Sequence, residues 1–132
     1  MINISISNQT NWKELDENGI KKVVKNALLK LGIENDLVLE VIFAGEEEIR
    51  KYNKKYRCVD KPTDVLSFPQ THFKESKLNI LGSIVICPDI AKEREIPIEE
   101  LIKHGILHLL GYDHETDEPQ WEKASEKINC NY

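Results

Sequence analysis

Three of the four histidines in this 132-residue chain fall within one short stretch, HGILHLLGYDH, running from His104 to His114. Side chains four residues apart on a helix project from one face, so the spacing predicts that His104 and His108 offer two imidazole nitrogens to one metal ion. Gly111 can adopt the left-handed conformation that ends a helix and turns the chain, which would bring His114 to the same ion. Three neutral imidazoles with a position left for water is the donor set of a catalytic zinc site rather than a closed structural one. Nickel, cobalt or copper could use the same ligands, with zinc favoured. The spacing, glycine included, is that of the metzincin metal motif.

One position inside the motif departs from zinc peptidases of the HExxH type. These place a glutamate directly after the first histidine as general base, and here that residue is Gly105. Asp113, next to the third histidine, could orient an imidazole or act as a base, and its type and position fit both. His72 lies in a polar, loop-like stretch and is expected to be exposed. A second concentration of chemistry is basic: Lys51, Lys54, Lys55, Arg57 and Lys61 lie close together in a chain of net charge -5. Such a cluster can hold phosphates, and the Arg57 guanidinium offers two parallel donors to phosphate oxygens.

The elements that must position these groups are legible from periodicity. Ile2 to Ser7 alternates apolar and polar residues and predicts a strand. Ile20, Val23, Val24, Ala27, Leu28 and Leu31 recur at helical spacing, with Asn18 as the expected N-cap and Gly32 past the end. Leu37 to Ala44 predicts a buried strand. Glu46 to Tyr56 predicts a helix whose inward stripe is Ile49, Tyr52 and Tyr56 and whose acidic first turn suits the helix dipole. Turn residues at Lys61-Pro62-Thr63-Asp64 lead into a short strand from Val65 to Phe68, and Gln70 to Asn79 reads as a polar connection. Leu81 to Ile86 predicts another buried strand, and Asp89 to Glu95 a short helix. Pro97 opens the histidine-bearing helix, buried through Ile98, Leu101, Ile102, Ile106, Leu109 and Leu110. Thr116 or Asp117 caps a last helix with Trp121, Ala124 and Ile128 inward. Alternating strands and helices predict an α/β or α+β fold.

At this length, residues 1–132 suit one domain. No apolar run reaches membrane-spanning length, and the start has no basic segment followed by a long apolar one, which predicts a soluble, cytoplasmic protein with no membrane partner. Cys58, Cys87 and Cys130, odd in number and far apart, suit free thiols in a reducing compartment. The acidic balance argues against strong non-specific nucleic-acid binding by the molecule as a whole and leaves room for a local basic cleft.

HGILHLLGYDH, together with YRCVDKPTDVLSFP (Tyr56 to Pro69) and the intervening strand LGSIVI, resembles the YbeY family of metal-dependent endoribonucleases. The resemblance runs over most of the chain. It implies a single α/β domain with a small mixed sheet of about four strands flanked by helices, and a metal-bearing helix like that of zincins. It implies one zinc ion held by His104, His108 and His114, and Arg57 as the cation of the cleft, binding RNA phosphate with Lys55 and Lys61 nearby. Function and partners follow by the same resemblance: cleavage of single-stranded ribosomal RNA during maturation of the small-subunit 3′ end, ribosome quality control, and contact with the small subunit and its assembly factors. The chain departs from the family at Ser83, where an aspartate is usual, and at Trp121, where a methionine is common. Two other readings of the same residues are a zinc metallopeptidase and a non-catalytic ribosome assembly factor with a structural metal.

Overall fold

A computed structural model describes residues 2–13, 15–34, 36–69, 80–113 and 115–131 of the protein. His72, His114 and the Gln70–Asn79 connection lie outside the described residues. Among those described, the chain runs β1 (Ile2–Asn8), α1 (Glu17–Lys30), β2 (Leu37–Phe43), α2 (Glu46–Arg57), β3 (Val65–Pro69), β4 (Ile80–Ile86), α3 (Pro88–Glu93), α4 (Ile98–Leu109) and α5 (Glu118–Ile128). The strands form one mixed sheet in the order β1-β2-β4-β3, with β1, β2 and β4 parallel and β3 antiparallel to β4. The four-stranded α/β architecture is therefore the one expected from the sequence.

Side chains alternate across a strand, and here both faces of the sheet are buried. Leu39, Val41 and Phe43 of β2 and Ile84 and Ile86 of β4 join the larger core with α1, α4 and α5. Val85 of β4 and Leu66 of β3 face the other way, against Ile49 of α2 and Ile90 of α3. Near-continuous apolar runs in β2 and β4 are the sequence signature of strands covered on both sides.

Two local expectations are corrected. The N-cap of α1 is Asp16 rather than Asn18: the Asp16 carboxylate accepts the Gly19 backbone N–H at 3.1 Å, and Asn18 lies inside the helix. An acidic cap satisfies an orphan donor and complements the helix dipole together. Tyr56 is 56% exposed rather than inward, although Ile49 in the same stripe is fully buried. Its position on the last turn of α2 brings it beside Phe68 of the edge strand β3, away from the central sheet. At α5 the cap is Asp117, which accepts from the Gln120 N–H at 3.3 Å, and Trp121, Ala124 and Ile128 are buried as expected.

Candidate metal centre and its cleft

α4 carries His104 and His108 on one face, and their Nε2 atoms stand 3.0 Å apart. That separation suits an N–H···N contact between one donor and one acceptor ring. It also suits convergence on a shared cation, because two imidazole nitrogens on one tetrahedral zinc stand about 3.3 Å apart. The two rings thus fit a metal, with little rearrangement needed. His104 is buried and His108 half-buried, and the indole of Trp121 on α5 lies 5.1 Å from both rings, centroid to centroid. Packing of this kind restricts the imidazole rotamers, so the nitrogens are held in place before any ion arrives.

α4 ends as its sequence dictates. The Gly111 N–H bonds the His108 carbonyl and the Tyr112 N–H bonds the Leu107 carbonyl, both at 3.0 Å, with Gly111 at φ +92°. This is a Schellman turn, which needs a left-handed residue just past the helix. The following turn is tied by Asp113, whose Oδ1 accepts the Glu115 N–H at 2.8 Å and whose carbonyl accepts the Asp117 N–H at 2.9 Å. Asp113 therefore shapes the segment on either side of position 114. A Cβ at Gly111 would meet nothing within 4 Å, so Gly111→Ala carries a backbone penalty alone. We expect it to lose about 1–2 kcal/mol of stability by chemical denaturation and to bind metal more weakly. Unchanged stability would mean that the turn does not hold this φ in solution.

His104, His108 and Asp113 open onto a cleft of about 490 Å³, which Arg57, Tyr56 and Phe68 also line. The end of α2 sets the position of Arg57. Cys58 turns left-handed at φ 58°, the Val59 N–H bonds the Asn53 carbonyl at 3.2 Å, and the buried Asn53 amide donates to the Lys61 carbonyl at 2.8 Å. Asp64, almost fully buried, receives the Val65 N–H at 2.8 Å and pairs with Arg94 at 3.2 Å, while its carbonyl accepts the Cys87 N–H. The Lys-Pro-Thr-Asp turn is thus an anchor for the loop after Arg57. Arg50 and Asp60 brace the same loop at 2.8 Å, and this hydrogen bond holds the Asp60 carboxyl below its ordinary range.

Much of the basic cluster is neutralised locally: Lys51 pairs with Glu48 and Lys54 with Asp60. Arg57, Lys55 and Lys61 form no ion pair among the described residues. Of these three cations Arg57 lines the cleft. Lys55 lies over the Tyr56 ring at 5.2 Å, and Lys61 is exposed on the loop. Among the described residues no group of three or more His, Cys, Asp or Glu side chains is gathered to hold an ion.

The family model for Endoribonuclease YbeY matches residues 3–129. The chain is 36% identical to an Endoribonuclease YbeY of Sulfurihydrogenibium, over 96% of this chain and 93% of that one. It is 40% identical to those of Aquifex aeolicus, over 89% and 82%, and of Staphylococcus epidermidis, over 86% and 81%. The chain belongs to the YbeY endoribonuclease family. A solution structure of a Thermotoga maritima protein superposes with a TM-score of 0.56 at 28% identity, over 96% of this chain and 87% of that one. YbeY proteins are metalloproteins, in keeping with the convergent imidazoles of α4.

Ser83 and Trp121, the two residues at which the sequence departs from the expected YbeY pattern, have defined places in the fold. Ser83 donates to Glu40 Oε1 at 3.1 Å across the β2–β4 ladder, on the face away from α4, and does not line the cleft. Trp121 packs against both imidazoles. Sequence reasoning placed it only as an inward residue of α5, and the histidine contact had no periodic signal. Phe68 and the exposed ring of Tyr56 were likewise missed as cleft residues, since each looks like an ordinary apolar position of its element.

The metallopeptidase reading fails at Gly105. A Cβ there would meet Ile84 side-chain atoms at 2.9–3.1 Å, so position 105 faces β4 instead of the cleft. A glutamate at that point of α4 has no room to act as a base.

Proposed function

We propose that residues 1–132 form one zinc-dependent endoribonuclease domain, its α4 acting as the metal-bearing helix does in zincins, which cuts single-stranded ribosomal RNA during maturation of the small-subunit 3′ end. The observation that carries this reading is the placing of an imidazole pair, 3.0 Å apart, in the same cleft as the Arg57 guanidinium. Small-subunit particles and their assembly factors, met in the cytoplasm, are the proposed partners.

In this reading His104, His108 and His114 hold the zinc, which when bound supplies Lewis-acid stabilisation of phosphoryl oxygens. Arg57 binds the non-bridging oxygens of the scissile phosphate through two parallel N–H donors and stabilises the charge that grows on them. Lys55 and Lys61, outside the cleft wall, attract the flanking backbone. Asp113 ties the backbone at Glu115 and Asp117; its Oδ1 already accepts a backbone N–H, which favours positioning over proton transfer. An acidic chain can still bind RNA in this way, because an unpaired strand is recognised by shape and a local basic surface.

Cleavage of a short single-stranded RNA, compared with the same sequence in a duplex, tests the proposal. The single strand is cut and the duplex spared. Arg57→Ala slows cutting by on the order of 10²–10³-fold while retaining its zinc. Equal cutting by Arg57→Ala and the unaltered protein would remove Arg57 from the reaction, and no cutting by either would remove the activity.

A further inference from the structure

Tyr56 is a large, partly apolar side chain left more than half exposed at the wall of the cleft, directly before Arg57. One exposed ring is ordinary on a protein surface; what sets this one apart is that it lines the cleft next to Arg57, where its apolar face is open to a ligand. The ring is firmly supported. Its centroid lies 5.1 Å from that of Phe68, tilted 56°, and 6.4 Å from that of Tyr52, nearly parallel at 17°. Tyr52 and Phe68 in turn pack on the smaller core beneath α2. The Lys55 ammonium 5.2 Å above the Tyr56 ring adds positive charge at the same spot.

We propose that Tyr56, backed by Phe68 and Tyr52, is a stacking platform for one unpaired base of the RNA next to the phosphate held by Arg57. This rests on the endoribonuclease reading above and adds to it the means by which an unpaired strand is selected. A base within a duplex has both faces covered by its neighbours, so it can lie on Tyr56 only after leaving the stack. Every base has a π-face, so the platform discriminates by strandedness more than by sequence. Consecutive residues Tyr56 and Arg57 would then grip one nucleotide, the first by its base and the second by its phosphate. The support from Phe68 and Tyr52 leaves little ordering to be done on binding.

The test uses the zinc-loaded full chain and a single-stranded RNA oligomer carrying one 2-aminopurine, with Tyr56→Ala and Tyr56→Phe. Thermal midpoint and zinc content are measured alongside: losing the ring contacts to Phe68 and Tyr52 should lower the midpoint of Tyr56→Ala only slightly, and zinc content should not change. Tyr56→Ala is expected to raise KM about 10-fold with kcat within about twofold, and to abolish the fluorescence quenching that stacking produces. Tyr56→Phe, which keeps the π-face, is expected to retain both. An unchanged KM and unchanged quenching in Tyr56→Ala, with the unaltered protein cutting normally, would overturn the platform and leave the endoribonuclease reading intact. Weaker binding of Tyr56→Ala to small-subunit particles but not to the oligomer would also overturn it, assigning the ring to a contact that a single strand alone does not offer. Failure of the unaltered protein to bind or cut the oligomer would instead sink both readings.

Discussion

His108→Ala is expected to lose the bound zinc and about a thousandfold in RNA cleavage while keeping its fold. The size follows from the proposed site, in which His108 is one of three ligands and the ion would supply several kcal/mol of charge stabilisation. The fold survives because His108 is half-buried at the cleft edge of α4, with the core side chains of the helix elsewhere on its surface. His104→Ala is a poorer choice, since that ring is buried and packed on Trp121, and its truncation removes core contacts as well. Metal analysis, circular dichroism and a cleavage assay on one preparation separate these effects. A His108→Ala protein with about one zinc per chain and ordinary cutting would take α4 out of the centre altogether. A protein that has lost its zinc and cuts no RNA, yet still supports normal ribosomal RNA maturation in cells, would revive the assembly-factor reading.

Gly105→Glu is expected to be the most destabilising single change on α4, costing roughly 3–5 kcal/mol, a large fraction of a typical domain's stability. Two effects combine. The new Cβ meets the fully buried Ile84 at 2.9–3.1 Å, and Ile84 is closed in by the core on every side, so it cannot yield cheaply. The carboxylate is then forced toward an apolar helix–sheet contact, and among the described residues no lysine or arginine is buried to meet it. Gly105→Ala isolates the first effect. Its steric cost of about 1–3 kcal/mol is partly offset by the roughly 1 kcal/mol gained in helix propensity. Combining Gly105→Ala with Ile84→Ala should cost less than the sum of the two changes, because the second makes room for the first. Additive costs in urea titrations would show that the two residues do not touch. Peptidase activity is not expected from Gly105→Glu even where it folds, since the side chain points at β4.

Much of the fold is legible residue by residue. The runs in β2 and β4 and the helical spacing in α1, α4 and α5 are strong signals because a buried face repeats with the period of its element. Boundaries and caps are weaker, as the exchange of Asn18 for Asp16 illustrates: neighbouring residues of similar capping chemistry differ only in which carbonyl oxygen reaches the N–H. Tyr56 was misplaced for a related reason. Periodicity assigns a face to every turn of α2, but whether the last turn still has a sheet beneath it depends on where the edge strand lies.

The chemical groups are legible in the chain alone: two histidines one helical turn apart, a glycine that can turn left-handed, an arginine ahead of a Lys-Pro-Thr-Asp turn, and the family to which they belong. Those are local patterns, governed by backbone geometry over a few residues. It takes the folded chain to show that Arg57 shares a cleft with His104 and His108 although 47 positions separate Arg57 from His104, that Trp121 packs on both imidazoles, and that Gly105 is the point where α4 meets β4. These relations arise from how the edge strand and α4 pack against β4, and such long-range packing depends on many side chains at once, leaving no pattern at any one of them.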